Sequence, residues 1–283
     1  MSRYDQMFAG LGGRGAFGGF VMLGDPTIEK SAAILDALVA GGADMIELGI
    51  PFSDPVADGP TIQGAAERAL QGGATVAACF ELLRDFRARH PDIPVGLLTY
   101  ANIILAPGRD AFYAACARAG VDSVLAADVP AFEAEPFADA ARRHGVEPVL
   151  IAAPNTPAAT LQRIARLGGG YTYCVARAGV TGVETEMQLD HGALLAALKS
   201  LEAPPPVLGF GISTPAHVRS ALDSGAAGVI SGSAIVRLVE REPDPAAAVE
   251  RFVRTMKAAT EPESGAPASA PEGAGRLTLR FSS

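Results

Sequence analysis

Eight short apolar segments recur along the chain, and a stretch with helical periodicity follows most of them. The apolar segments cover residues 19–24, 45–50, 95–100, 123–128, 148–153, 171–176, 207–211 and 228–231. Segments of this length and composition are typical of buried strands. Between them, Ala-rich stretches predict helices at residues 28–40, 76–90, 110–119, 132–144, 158–167, 192–201 and 215–224. Strands that alternate with helices indicate βαβ units and a parallel sheet.

This repeat predicts an α/β fold, a single TIM-type (β/α)8 barrel over residues 1–260 with extra helices. A doubly wound open sheet is the alternative, but that architecture rarely needs eight such even repeats. Residues 261–283 are rich in Glu, Pro, Ser, Gly and Ala. Such a composition buries too little apolar surface to order itself, so we expect a disordered C-terminal tail.

A single carboxylate interrupts the apolar segment at 45–50. Side chains of a strand alternate between its two faces, so Glu47 shares one face with Met45 and Gly49. Both faces of a helix-covered parallel sheet are buried. A buried carboxylate is costly unless it is paired or protonated, and no basic residue lies close in sequence. We therefore predict a functional role for Glu47 rather than an internal ion pair.

The Pro-rich loop after this strand carries two more carboxylates, Asp54 and Asp58. The active site of such a barrel lies at the carboxyl ends of its strands, where Glu47 and Asp58 would face one substrate from two sides. Taken alone, Asp58 before Gly59 is also an ordinary turn residue, and Asp54 has the same ambiguity.

Two glycine clusters come at the ends of the last two predicted strands, at residues 209–213 and 230–236. The second passes directly from strand to helix. Free backbone N–H groups at a helix start bind phosphate, and this is the usual phosphate position of the barrel. The alternative is tight packing of helix on strand. The long loop 177–190 is typical of a lid or binding loop and contains Gly179 and Gly182, which could add donors.

Composition argues against several other classes of function. The net charge is −8, from 23 basic and 31 acidic residues, and no basic stripe suits nucleic acid or an anionic membrane. No apolar segment reaches transmembrane length. The three cysteines and four histidines form no ligand cluster, so no metal is expected. These features favour a cytoplasmic protein.

Tyr171 is expected to pack in the core, whereas Tyr173 is a candidate for the barrel mouth.

The chain resembles the tryptophan synthase alpha subunit family over residues 1–258. The resemblance rests on motifs at residues 23–26 (Leu-Gly-Asp-Pro), 47–55 (Glu-Leu-Gly-Ile-Pro-Phe-Ser-Asp-Pro), 57–60, 100–102, 127–130, 170–173, 177–182, 209–213 and 231–236. It implies cleavage of indole-3-glycerol phosphate to indole and glyceraldehyde 3-phosphate. It also implies an α2β2 complex in which indole passes to a pyridoxal-phosphate beta subunit, with no cofactor in this chain.

The resemblance also assigns roles to matching positions. It makes Glu47 the proton-transferring carboxylate and Asp58 the group that binds the indole N–H, with Tyr173 near the reacting centre. The implied phosphate-binding residues are Gly182, Gly211, Gly232 and Ser233. The implied substrate-binding residues are Phe20, Leu98, Leu125, Thr181 and Phe210.

This chain departs from the family pattern at 18–19, at Ala176 and at 131–133, and the last departure is expected to alter the surface that meets the partner. Two other interpretations of the function stay open. One is a different phosphate-binding barrel enzyme, which would need acid–base residues on other strands. The other is a catalytically silent subunit that only activates a partner, against which the presence of both Glu47 and Asp58 argues.

Overall fold

The computed structural model of this chain describes residues 1–175 and 191–261. Its nine strands are all parallel and hydrogen-bond in the order β5-β4-β3-β2-β1-β9-β8-β7-β6. They are β1 (Ala16–Met22), β2 (Met45–Gly49), β3 (Val95–Thr99), β4 (Ser123–Ala126), β5 (Glu147–Pro148), β6 (Leu150–Ala152), β7 (Thr172–Cys174), β8 (Pro206–Leu208) and β9 (Gly228–Ser231).

The two ends of this order are one interrupted strand, which closes the barrel. Only Val149 separates β5 from β6, and its N–H donates to the carbonyl of Val124 at 3.0 Å. The first part of this strand pairs with β4 and the second part pairs with β7. The predicted strand at 148–153 is therefore the closing strand, and the predicted eight-stranded barrel is confirmed.

Twelve helices surround the barrel in the described part of the chain. They are α1 (Arg3–Gly10), α2 (Ile28–Ala40), α3 (Pro60–Gln71), α4 (Val76–Arg89), α5 (Ala101–Leu105), α6 (Arg109–Arg118), α7 (Glu135–Arg143), α8 (Ala158–Leu167), α9 (Gly192–Ser200), α10 (Pro215–Asp223), α11 (Ser233–Arg241) and α12 (Pro245–Ala258). The seven predicted helices are all present. One begins later than predicted, at Glu135 instead of residue 132, because Pro136 lacks an amide hydrogen and belongs in a first helical turn.

Two apolar layers fix the direction of every strand side chain. Ile46 and Leu48 of β2 pack in the layer between sheet and helices. Met45 belongs instead to the cluster that fills the barrel lumen, with Phe20 and Leu125. The alternation predicted for β2 is thus confirmed, and it sends the side chain of Glu47 into the lumen.

Helix α1 places an aromatic side chain at the amino ends of the strands. Tyr4 is 1 % exposed, and its hydroxyl hydrogen-bonds the hydroxyl of Ser123, the first residue of β4, at 2.8 Å. Its ring lies 5.4 Å from the ring of Tyr171. The lumen is therefore filled from this end, and its other end, at the carboxyl termini of the strands, holds the residues of interest.

The described residues end three positions after α12, whose Lys257 pairs with Asp44 at the start of β2. The expected disordered tail lies, apart from Glu261, outside the described residues and stays a prediction. Among the helices that are described, none has the length and apolar character needed to cross a bilayer.

Candidate active site

Glu47 is a buried carboxylate with one bonded and one unbonded oxygen. Its side chain projects from the middle of β2 into the lumen, and the residue is 1 % exposed. Its Oε1 accepts a hydrogen bond of 2.6 Å from the hydroxyl of Tyr171. Within the described part of the chain, no group hydrogen-bonds its buried Oε2. An unsatisfied carboxylate oxygen in a closed lumen is costly, so this oxygen is available to a reactant.

A glycine on the neighbouring strand β3 makes room for hydroxyl groups in the lumen. Glu47 lies in register with Gly96 of β3, which lies in register with Ser123 of β4. A Cβ at position 96 would lie 2.8 Å from Ser123 Oγ and 3.1 Å from the Tyr4 hydroxyl. A side chain there would displace the hydroxyls beneath Glu47. Gly49, which shares a strand face with Glu47, makes space for the side chains of Met22 and Phe20.

Burial sets the protonation behaviour of Glu47. Loss of water raises the pKa of its carboxyl to about 7, and the negative charge of Asp58 adds to the rise. The hydrogen bond from Tyr171 acts in the opposite direction and lowers the pKa, but it does not offset the burial. A carboxyl group with this pKa exists in both protonation states near neutral pH and can give or take a proton.

Asp58 approaches the same space from the loop between β2 and α3. It is 7 % exposed, and its Oδ2 accepts a hydrogen bond of 2.7 Å from the hydroxyl of Tyr100. That hydroxyl in turn accepts from the N–H of Ala57 at 3.3 Å. Burial raises the pKa of Asp58, whereas the bond from Tyr100 lowers it. The structure brings Asp58 close enough to Glu47 for the two charges to interact.

Asp58 and Asp54 belong to the same loop but differ in burial. Pro60 occupies the first turn of α3 and Gly59 is its N-cap, so Asp58 stands directly before the cap of this helix. Asp54 is exposed and hydrogen-bonds the hydroxyl of Ser53. Of the two carboxylates, Asp58 is the buried one, and its role in the site stays a prediction.

Tyr173 lies on the same face of its strand as Tyr171, two residues away. Its hydroxyl donates to the carbonyl of Gly209 at 2.9 Å, and a Cβ at position 209 would lie 2.1 Å from the tyrosine ring. Burial raises the pKa of Tyr173 strongly, and the charges of Glu47 and Asp58 add to the rise. The three predicted catalytic residues therefore share one lumen space.

Four apolar side chains predicted to bind substrate lie near this space. Phe20 lies in register with Glu47, and Leu98 lies in register with Leu125. Phe20, Leu98 and Leu125 belong to the lumen cluster. Phe210 is 8 % exposed and stands between Gly209 and Gly211 at the end of β8. A flat aromatic ligand would find walls on several sides.

The glycine clusters adjoin this space at the ends of β8 and β9. Gly232 is the N-cap residue of α11, Ser233 is its first residue, and no side chain caps this helix start. A Cβ at position 232 would lie 3.6 Å from Phe20, so the helix start and the apolar wall are neighbours. Gly211 has φ +74° and is exposed. An uncapped helix start with half-exposed residues suits an anion.

The predicted lid or binding loop 177–190 lies outside the described residues. Thr181 and Gly182 lie outside the described residues, so their roles stay predictions. Among the residues that are described, no group of three or more His, Cys, Asp or Glu side chains is arranged to hold a metal ion.

Sequence reasoning missed the two tyrosines that hold the carboxylates. Tyr171 is buried in the core as predicted, but its hydroxyl also bonds Glu47. Tyr100 bonds Asp58 from the residue directly after β3. A weak signal existed for Tyr171, because it shares the lumen face with Tyr173.

Comparison with known proteins identifies the family of this chain. A family model described as tryptophan synthase alpha chain matches residues 10–262. The tryptophan synthase alpha chain of Klebsiella pneumoniae is 55% identical over 267 residues, which is 92% of this chain and 99% of that protein. The corresponding protein of Shewanella oneidensis is 55% identical over 265 residues, 92% of this chain and 95% of its own length.

Solved structures give the same result. The crystal structure of tryptophan synthase subunit alpha from Legionella pneumophila has a TM-score of 0.81 and is 31% identical, covering 92% of this chain and 98% of that chain. Because the family model and these relatives match nearly the whole described barrel, the chain belongs to the tryptophan synthase alpha chain family.

Proposed function

We propose that this chain cleaves indole-3-glycerol phosphate to indole and glyceraldehyde 3-phosphate in the lumen space around Glu47. The observation that carries the proposal is the carboxyl group of Glu47, buried, with a pKa of about 7 and one oxygen without a hydrogen bond in the described structure. Cleavage of this substrate is a retro-aldol reaction, which needs one group able to give and to take a proton.

Glu47 supplies both proton transfers. In its protonated form it gives a proton to C3 of the indole ring, which converts the ring to a cation. The carboxylate that results takes the proton of the side-chain hydroxyl next to the bond that breaks. The electron pair of the carbon–carbon bond then returns to the ring, and the hydroxyl carbon becomes the aldehyde of glyceraldehyde 3-phosphate. Tyr171 keeps one carboxyl oxygen engaged and leaves the other for the substrate.

Asp58 stabilises the cation. Protonation of C3 places positive charge on the ring nitrogen, and a carboxylate held by Tyr100 accepts the N–H and balances that charge. Burial raises the pKa of Asp58, whereas a positive charge on the ring nitrogen beside it favours the ionised carboxylate.

The remaining residues bind the substrate. Phe20, Leu98, Leu125 and Phe210 enclose the indole ring, with Tyr173 beside the reacting carbons. Backbone N–H groups at Gly211, Gly232 and Ser233 bind the phosphate. The family resemblance implies Gly182 as a further phosphate donor and Thr181 as a substrate contact. Two observations support these separate binding roles. No side chain caps the start of α11, and one apolar side chain, that of Phe20, separates this helix start from the carboxylates.

We also propose a beta-subunit partner. The tryptophan synthase a2b2 complex of Pyrococcus furiosus, whose solved chain is 36% identical to this one with a TM-score of 0.79, undergoes mutual activation. Here Val56 and Phe132, in the loops after β2 and β4, are 70% and 69% exposed. Large apolar side chains on the carboxyl-end loops suit a protein partner. In this assembly pyridoxal phosphate belongs to the beta subunit and this chain carries no cofactor.

Two further features support the assignment. The chain has three lysines, Lys30, Lys199 and Lys257, and all lie on outer helices. A Schiff-base route to the same bond cleavage would need a lysine in the lumen. The cysteines Cys79, Cys116 and Cys174 are buried and free, as expected for a cytoplasmic enzyme.

Indole release from indole-3-glycerol phosphate tests the proposal. The purified chain should release indole alone and faster with a beta subunit. Inorganic phosphate and glycerol phosphate should inhibit competitively. Release of indole only when beta is present would show that cleavage depends on the partner. No release under any condition would contradict the proposal: it would favour the silent subunit if the chain still activates beta, and a different barrel enzyme if it does not.

A further inference from the structure

Helix α3 lies over the lumen, and Asp58 stands two residues before its first residue, Pro60. Its buried face, Ile62, Ala65, Ala66 and Ala69, belongs to the same cluster as Phe20 of β1 and Val236 of α11. The helix therefore packs on the apolar wall of the site and on the helix whose start adjoins the glycine clusters. Any shift of α3 moves Asp58.

One arginine near the end of α3 ties this helix to two other elements. Arg68 donates from Nε and Nη2 to the two carboxylate oxygens of Asp25, at 2.9 and 2.8 Å. Its Nη1 donates to Glu240 at 3.2 Å. Asp25 lies in the loop after β1 with a side chain 2% exposed, and Glu240 is in the last turn of α11. The guanidinium thus joins the loop after β1, α3 and α11.

The packing around Arg68 leaves little freedom. A Cβ at Gly72 would lie 2.4 Å from the carbonyl oxygen of Pro26, and one at Gly24 would lie 2.6 Å from the Cβ of Ala74. The end of α3 and the loop after β1 are therefore in direct backbone contact. At the other end of the helix, Gln63 donates from its side chain to the carbonyl of Asp58 at 2.7 Å. A short helix fixed at both ends moves as one body.

We propose that Arg68 is a positioning residue for cleavage, which holds Asp58 at the indole nitrogen by fixing α3 to the loop after β1 and to α11. This inference rests on the proposed role of Asp58. Bidentate arginine–carboxylate pairs define geometry as well as energy. An isolated surface pair would contribute little, but here the partner Asp25 is buried and the pair spans elements far apart in sequence.

The test relies on variants that do not leave a buried charge without a partner. Loss of Arg68 alone leaves the carboxylate of Asp25 buried without a partner, which endangers folding. The double variant Asp25→Asn/Arg68→Met removes both charges, Arg68→Lys keeps the charge without the bidentate geometry, and Glu240→Gln removes only the link to α11. Arg84→Met, at an exposed arginine of α4, is the matched control.

We expect the double variant to lower kcat about 10- to 100-fold, the cost of misplacing a group near the reacting atoms. The kcat of Arg68→Lys should fall less than that of the double variant, because the charge is kept. The kcat of Glu240→Gln should also fall less, and that of Arg84→Met should not change. The inhibition constant of glycerol phosphate should stay within about twofold, because the start of α11 is untouched. In an Asp58→Asn background, the same double change should have almost no further effect on kcat, since residues that act as a unit are non-additive.

Three results would overturn the inference. Additive losses with Asp58→Asn would show that Arg68 does not act through Asp58. A parallel loss of glycerol phosphate binding, or of melting temperature large enough to account for the rate, would show a general structural role. If Asp58→Asn itself leaves cleavage intact, the proposed role of Asp58 fails as well, so the two failures are distinguishable.

Discussion

The two parts of the candidate site are built in opposite ways. The carboxylate part, Glu47 and Asp58, is buried, and each carboxylate is held by a tyrosine hydroxyl. The glycine part, residues 209–211 and 232–233, presents backbone at half-exposed positions and an uncapped helix start. Phe20 touches both parts, because it lies in register with Glu47 and beside Gly232.

This difference follows from what each part must do. Proton transfer near neutral pH needs a carboxyl group whose pKa is shifted, and burial is the cause of that shift at Glu47. Phosphate carries its charge into the site and needs accessible N–H donors, which a side chain would obstruct. Substitutions should therefore separate the two parts: changes in the carboxylate part should lower kcat, and changes in the glycine part should raise KM.

The largest effect is expected for Glu47→Gln. Gln keeps the shape and the bond from Tyr171 but cannot carry the proton, so kcat should fall by about 10²- to 10⁴-fold or more. KM and inhibition by glycerol phosphate should change little. Steady-state indole release, with and without glycerol phosphate, measures kcat, KM and inhibition. Glu81→Gln, at an exposed glutamate of α4, is the control. Near-normal turnover of Glu47→Gln would refute the assignment.

Asp58→Asn should lower kcat by roughly 10²-fold, because the ring cation loses its counter-charge. Asp54→Asn is the matched control, since Asp54 belongs to the same loop but is exposed and bonded to Ser53. Equal losses in the two variants would mean that loop disturbance, not charge at the ring nitrogen, limits the rate.

The burial of Glu47 should also appear in the pH dependence of stability. Its folded-state pKa of about 7 lies above the ordinary value of 4.5, so the folded protein keeps a proton that the unfolded chain loses. Stability from this group is thus complete below about pH 4.5 and is lost as pH rises to about 7. The free energy of unfolding of Glu47→Gln, relative to the unsubstituted protein, should rise over that window by roughly 1–3 kcal/mol. Denaturant unfolding at pH 4.5 and pH 8 measures it; a constant difference would contradict the shifted pKa.

In the glycine part, Gly232→Val should raise KM and the inhibition constant of glycerol phosphate about tenfold or more, with a smaller change in kcat. The Cβ itself would make only ordinary contact with Phe20, so folding should survive. Gly10→Val, at a glycine with no neighbour within 4 Å, is the control. A variant with lowered kcat and unchanged KM would remove the distinction between the two parts.

The smallest effect is expected for Tyr171→Phe. The hydroxyl lowers the pKa of Glu47, so its loss should shift the pH–rate profile upward and reduce kcat a few-fold. Tyr113→Phe, at a tyrosine buried between sheet and helices, should leave the profile unchanged. An unshifted profile for Tyr171→Phe would mean that Tyr171 only fills the lumen.

Much of this molecule was determined by local sequence pattern. The alternation in 45–50 was enough to place Glu47 in the lumen, since a strand has a period of two and a barrel has an inside. The passage from β9 into α11 at Gly232 was likewise local, as was the choice of a barrel from eight repeated units. The same reasoning misplaced the start of α7 and did not place α1, α3, α5 or α12 individually.

The tertiary structure alone decided which groups hold the catalytic ones. Tyr171 reaches Glu47 across 124 positions, Tyr100 reaches Asp58 across 42, and Arg68 reaches Glu240 across 172. Such contacts depend on strand register, on closure of the barrel at Val149 and on the packing of α3 over the lumen. Periodicity assigns a residue to a face, but only the closed barrel determines which residue of another strand meets it there.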